Sequence, residues 1–192
     1  VTVKTPVAPI AVGDYYYSDG TWSTTRNTSK TVIGVVFATA NAVASDPELR
    51  KDYPNCTNGL VVSTKEYTSE CARGREWSYV DLGTWCRNSG YTYYNDTSNP
   101  CGYSNTKGYM AANAASIQSY GNTINFTLFN SSSPVAQHRA SVSAPSSASA
   151  WYVPSYKEMQ LLYENREAVN NAINSVSGDP LHVARANNED YY

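Results

Sequence analysis

Four cysteines stand at Cys56, Cys71, Cys86 and Cys101 at regular, wide spacing. Thiols can ligate zinc, attack an electrophile or pair oxidatively. Zinc sites favour close cysteine pairs with about two residues between them, and this spacing provides none. An even number so far apart suits two disulfides in an oxidising compartment, with three connectivities open. Thiols in a protein assembled in the cytosol, as a virion component would be, are the alternative. His138 and His182 are the only histidines. A Ser-His-Asp machine needs its groups in mutual hydrogen-bond reach, and the chain has no Gly-x-Ser-x-Gly elbow. Both histidines therefore read as structural or surface residues. Carboxylates are scattered. Asp81 and Asp96 fall in an aromatic stretch, and Glu189-Asp190 lie near the end. A glycosidase requires two of them at a fixed separation, which spacing along a chain does not measure. Asn95-Asp96 and residues 187–190 offer oxygens of a kind that suits calcium, but no EF-hand loop is present and solvated turns are the simpler reading. No metal, cofactor or catalytic residue is expected.

The recognition chemistry is better supplied. Tyr occurs 17 times against three Phe, and only 16% of residues are charged. Tyr gives a large, stiff contact surface with a hydrogen-bonding tip, and Ser and Asn adapt around it. The alternative is an exported β-rich protein with a polar exterior. The densest aromatic stretch holds Trp77, Tyr79, Trp85, Tyr91, Tyr93 and Tyr94. These are the candidates for an exposed ligand-binding surface, able to stack on a sugar face or pack on a protein. Trp77 and Trp85 also flank Cys86 closely enough to pack against a disulfide. Net charge is −2 with no basic run, so phosphate neutralisation, and with it nucleic-acid binding, is not expected. No apolar stretch approaches a membrane span. Five Asn-x-Ser/Thr sequons begin at Asn27, Asn55, Asn95, Asn125 and Asn130. In a chain this rich in Asn, Ser and Thr they carry little weight. The opening Val1-Thr2-Val3-Lys4 lacks an initiator Met, so the chain reads as a processed product or an excerpt.

The elements that must hold these residues are legible in part. Residues 1–12, with Pro6 and Pro9, read as an extended leader or linker, and 13–192 as one domain. Tyr15–Tyr17, then Ser18-Asp19-Gly20, then Trp22 predict a hairpin. Val32–Phe37 is apolar and β-branched throughout, the mark of a strand buried on both faces. Gly34 in its middle permits a close backbone approach. Asp46-Pro47 signals a short helix start, and Gly59–Ser63 another buried strand. The region from Lys65 to Tyr103 has weak periodicity, as functional or covalently pinned loops do. A helix is predicted from Asn105 or Thr106 to about Tyr120, with Met110, Ala114 and Ile117 on its core face. Ile124–Phe129 alternates as a strand would, and 130–149 is Ser-, Ala- and Pro-rich and reads as a loop. Residues 151–163 mark the sharpest boundary. Pro154 stops the preceding segment, Ser155 caps, and Glu158 three residues on completes a capping box. Met159, Leu162, Val169, Ile173 and Val176 then form one apolar stripe, with Arg166 in the remaining step, ended by Gly178-Asp179-Pro180.

Three stretches in this order resemble the C-type-lectin-like domains of gut-bacterial and phage surface proteins, related to retroelement-diversified variable proteins and fimbrillin-associated tip domains. They are Val12–Ser23 followed by Thr31–Phe37; Gly102–Lys107; and Trp151–Asn165 continuing through Ala168-Val169-Asn170. The resemblance implies an α+β fold with two helices packed on small antiparallel sheets and long irregular loops. It implies a non-enzymatic binding module, an adhesin or a phage receptor-binding or decoration protein, located outside the cell, at its surface or on a virion. A glycan or surface protein is the implied partner. In such domains a Trp-Ser-Ser-Thr stretch and further strands follow a position like Tyr191-Tyr192, so Asn187, Asn188, Asp190, Tyr191 and Tyr192 would border the ligand face. Here the chain stops, and a fragment, or an edge covered by a neighbouring subunit, is expected. The alternative role is a structural assembly subunit of a fimbria or virion. Formylglycine-generating oxidoreductases share the broad fold and use reactive cysteines. Cys71 or Cys86 beside Arg73, Arg75 or Arg87 would serve that third reading.

Overall fold

The structure, a computed structural model, describes residues 9–66, 97–114, 118–119, 122–123, 134–182, 184–186 and 189–191. Tyr15–Tyr17 (β1) turns through Asp19-Gly20 onto Trp22–Ser23 (β2), and the turn closes with the Gly20 N–H donating to Tyr17 O at 2.9 Å. Val32–Thr39 (β3) pairs antiparallel with β1, Tyr16 opposite Gly34, and on its other side with Gly59–Ser63 (β4), Gly34 opposite Ser63. The sheet order is β2-β1-β3-β4. As its composition predicts, β3 is covered on both faces, with every residue from Ile33 to Ala38 buried. Gly34 is the close approach expected of it. A Cβ there would lie 2.3 Å from Val61 Cγ1 and 2.7 Å from Val62 O, so no side chain fits.

The helices are Ala40–Val43 (α1), Pro47–Asp52 (α2), Gly102–Ala114 (α3), Pro134–Ser141 (α4), Tyr156–Glu164 (α5) and Arg166–Ser175 (α6). Two short hairpins, Gln118–Ser119 (β5) with Asn122–Thr123 (β6) and Ala184–Ala186 (β7) with Glu189–Tyr191 (β8), complete the described elements. One face of the sheet meets α5 and α6. Val35, Phe37 and Leu60 pack there against Leu162, Val169 and Ile173. Val169 and Ile173 are wholly buried, each such burial contributing about 1.5–3 kcal/mol.

Three elements depart from the sequence expectation. Helix α3 begins at Gly102 rather than Asn105, because the acceptors that hold its first N–H groups are carboxylates from elsewhere in the chain. Its buried face is Ser104, Thr106 and Tyr109, and Met110 is half-buried. The loop predicted over 130–149 contains α4, started by a proline at the first helical position and held down by buried Val135 and Val142. The single stripe expected after Ser155 breaks at Asn165 (φ −101°, ψ 7°), whose Nδ2 donates to Leu161 O and across to Phe37 O, both at 3.0 Å. An Asn side chain competes with helical backbone bonding in this way. Leu162, Val169 and Ile173 still face the core, while Val176 falls just past the end of α6. There Ser177 takes φ 56° and the Gly178 N–H donates to Ile173 O at 3.0 Å, a Schellman-type stop. Residues 1–8, Ile117 and the strand predicted at 124–129 lie outside the described residues.

Candidate functional site

Two regions place unusual chemistry inside the molecule. The first joins α2, α3 and α5 through two buried carboxylates. Asp46 caps α2, its Oδ1 accepting from the Leu49 N–H at 3.0 Å and from the Ser104 hydroxyl, and its Oδ2 accepting from the Ser104 N–H at 3.1 Å. Glu158 forms the predicted capping box with Ser155, whose N–H donates to Oε2 at 2.6 Å. The same oxygen accepts from the Gly102 N–H at 3.0 Å, and Oε1 accepts from the Tyr152 hydroxyl at 2.9 Å. A Cβ at Gly102 would lie 2.2 Å from Glu158 Oε2 and 2.7 Å from Val153 O, so only glycine lets the helix start reach the carboxylate. Burial pushes the Glu158 carboxyl above its ordinary range. The bonds from Ser155 and Tyr152 oppose that rise without cancelling it. Burial also raises the Tyr152 phenol strongly, with the Glu158 charge adding to it. At the surface Lys107 bridges Glu48 at 2.8 Å and Asp52 at 2.5 Å. Every carboxylate oxygen of Asp46 and Glu158 has a donor. The arrangement can fasten helix starts; it holds nothing poised for transfer.

The second region is a half-open cleft of about 670 Å³. Cavities that take small organic ligands span roughly 300–1,000 Å³. It lies between the sheet, which contributes Tyr16, Trp22 and Val61, and the segment from Ala144 to Pro154, which contributes Pro145 and Trp151. Trp151 is fixed as a wall. Its indole N–H donates to Val142 O at 2.8 Å, and its carbonyl accepts from Arg139 Nε at 2.6 Å. The His138 ring stands edge-on to Trp151, centroids 5.3 Å apart. Its Nε2 is buried and lacks a hydrogen-bond partner among the described residues. Burial first, and then the charge of Lys65, hold the imidazole below its ordinary 6.5, so the ring is neutral at pH 7. Lys65 lines the same cavity, and no described lining residue is acidic. Cys56, at the rim, donates its S–H to Ser147 O at 3.5 Å. Its thiol is raised by burial, which leaves it a poor nucleophile.

The sequence-derived site residues are distributed differently. Trp77, Tyr79, Trp85, Tyr91, Tyr93, Tyr94, Asn187, Asn188 and Tyr192 lie outside the described residues, as do Cys71, Cys86, Asp81 and Asp96. Asp190 and Tyr191 belong to β8, opposite Arg185 and Ala184. Cys56 and Cys101 are thiols, not halves of disulfides. This corrects the two-disulfide expectation at those two positions, where each sulfur has a local partner: Ser147 O for Cys56 and Asn105 Nδ2 for Cys101. His138 lines the cavity and His182 is exposed. Among the described residues no group of three or more His, Cys, Asp or Glu is placed to hold a metal ion, and no helix is long and apolar enough to cross a membrane. The residues sequence reasoning missed are Tyr16, Trp22, Lys65, His138 and Trp151 as one set.

The fold is thus α+β, a small four-stranded antiparallel sheet with helices, and comparison adds one likeness. It is similar to the crystal structure of a fimbrial protein from Bacteroides ovatus ATCC 8483, with a TM-score of 0.69 at 22% identity. The match covers 91% of this chain and 40% of that one, so the chain spans well under half of that protein's length. At this identity the likeness is one of fold. No protein-family model matches the chain, and no curated protein does.

Proposed function

We propose that the chain is a non-catalytic recognition domain of C-type-lectin-like type, carried at a cell surface as part of a fimbrial protein. It would bind a glycan or a surface protein through its Tyr-, Trp- and Asn-rich segments. The observation that carries this reading is the likeness to a fimbrial protein over 91% of the chain. The Tyr-rich, charge-poor composition supports it. The test is binding of the purified chain to arrays of glycans and of surface proteins, with whole-cell antibody labelling for location. Replacing Trp77 and Trp85 together by Ala is expected to cut array binding by about tenfold or more, as loss of aromatic anchors does. Binding that is unchanged, or absent from every array, would overturn the reading.

A second reading, assembly, rests on a separate observation. Strand β4 has a partner on one side only among the described residues, and such an edge can accept a strand from a neighbouring subunit. Concentration-dependent fibres or dimers, abolished by Val62→Pro, would move assembly to first place.

A further inference from the structure

We propose that the cleft beside Trp151 takes a neutral oligosaccharide, laid across the strands of the sheet. This rests on the reading that the chain recognises a glycan, and gives that reading a further place and a ligand class. Cross-strand register supplies the first part of the argument. Tyr16 stands opposite Trp22 on one side and Gly34 on the other, so the three positions share one face of the sheet. Gly34 has no side chain, and the Trp151 indole reaches over it: a Cβ there would lie 3.3 Å from Trp151 Cη2. Trp22, Tyr16 and Trp151 thus form a row of aromatic side chains stepping by one strand spacing, about 10 Å from end to end. All three line the cleft and are half-buried. Pyranose rings present flat C–H faces that stack on aromatic rings, and successive sugar units follow one another at a comparable step.

The polar groups supply the second part. Asn55, Thr57, Asn58, Ser147 and Ser149 line the same cleft, each at least partly exposed. Amides and hydroxyls both donate and accept, as sugar hydroxyls do. The edge of β4 adds backbone groups of both kinds. Antiparallel partners alternate in where their bonds point, and the Thr64 N–H donates to Ile33 O at 3.3 Å. Val61 and Ser63, which also line the cleft, therefore turn their N–H and C=O groups away from β3. Charge argues against other ligands. Among the described lining residues only Lys65 is charged, and it is exposed just past the end of β4, where salt screens it. An aliphatic chain would set methylenes against amides and hydroxyls. A peptide strand added to β4 would run along that edge. With the order β2-β1-β3-β4 it would leave Tyr16 and Trp22 untouched, two and three strands away. The His138 Nε2 is buried and takes no part.

The experiment probes an array of neutral, sialylated and uronic-acid oligosaccharides with the full chain, followed by calorimetry on the neutral glycan that binds best. Neutral glycans are expected to be bound in preference to acidic ones. Trp22→Ala should weaken that glycan about tenfold or more, as loss of an aromatic anchor does, and Trp22→Phe should restore most of the loss. Asn55→Ala combined with Asn58→Ala, at exposed positions, should weaken it about tenfold. Circular dichroism confirms the fold of each variant, and should Trp22→Ala not fold, the asparagine pair decides. Preference for acidic glycans, no neutral glycan bound, or unchanged affinity in either folded variant would overturn the proposal. The wider reading fails separately. A chain that binds surface proteins and no glycan loses the cleft proposal and keeps that reading. Glycan binding cut by replacing Trp77 and Trp85 but not by Trp22→Ala does the same, and the converse keeps the cleft and removes Trp77 and Trp85.

Discussion

The two interior regions of this molecule treat polar atoms in opposite ways. At the junction of α2, α3 and α5, Asp46 and Glu158 are nearly inaccessible, and each carboxylate oxygen is met by a donor. Beside the cleft, whose walls mix aromatic and aliphatic surface with uncharged polar groups, the buried Nε2 of His138 is left unmet. Unpaired buried polar groups are costly and fully satisfied networks are not. The first region therefore meets its own polar atoms, and the second leaves one buried nitrogen unmet.

The largest effect is expected at Glu158. Glu158→Ala leaves the Gly102 and Ser155 N–H groups and the Tyr152 hydroxyl without their acceptor. Several buried donors lost together should cost about 3–5 kcal/mol, read as a lower urea midpoint at unchanged slope. A loss below about 1 kcal/mol would mean that water replaces the carboxylate, and the region would not be closed after all. Gly102→Ala comes next. The added methyl collides with both Glu158 Oε2 and the Val153 carbonyl, and overpacking of this kind costs about 1–3 kcal/mol. The same urea titration checks it.

How much of this was legible in the sequence follows from the range of the interactions. The hairpin at Tyr15–Trp22, the buried strand with Gly34, the Asp46-Pro47 start and the Ser155–Glu158 capping box are local. Each depends on residues within a turn of one another, and each is found where the pattern puts it. The start of α3 is not local. Its acceptors are Asp46 and Glu158, both more than 50 residues away, and its buried face carries Ser104 and Thr106 where periodicity seeks apolar residues. The helix at Pro134–Ser141 was hidden by a composition poor in large apolar side chains. The cavity is less legible still, because Tyr16, Lys65, His138 and Trp151 share no sequence neighbourhood.

Glu158 also makes stability depend on pH. Burial raises the Glu158 carboxyl above its ordinary 4.5, so between the unfolded and the folded value the native state holds a proton that the unfolded chain has released. Its contribution is therefore fully present below the unfolded value and is lost as pH rises through the raised folded value. Glu158→Gln should remove that fall. Urea midpoints measured on both chains from pH 4 upward test this. A wild-type curve parallel to that of the variant would show that the surrounding donors hold the carboxyl at its unfolded value.

The smallest effect, and the most discriminating, belongs to His138. A residue whose polar atoms are bonded within the fold loses stability when they are removed; one with a buried unmet atom does not. In the ligand-free chain, His138→Leu deletes a buried nitrogen that has no partner and keeps apolar bulk against Trp151. It should leave stability unchanged or raise it by about 1 kcal/mol, the lower end of the cost of an unmet buried group. A sign opposite to that of Glu158→Ala is what the contrast requires, because one variant strands buried donors and the other removes an unmet atom. A loss of about 2 kcal/mol or more would mean that the imidazole bonds within the fold. The cavity would then be a second self-completed region, and the distinction between the two interiors would fall.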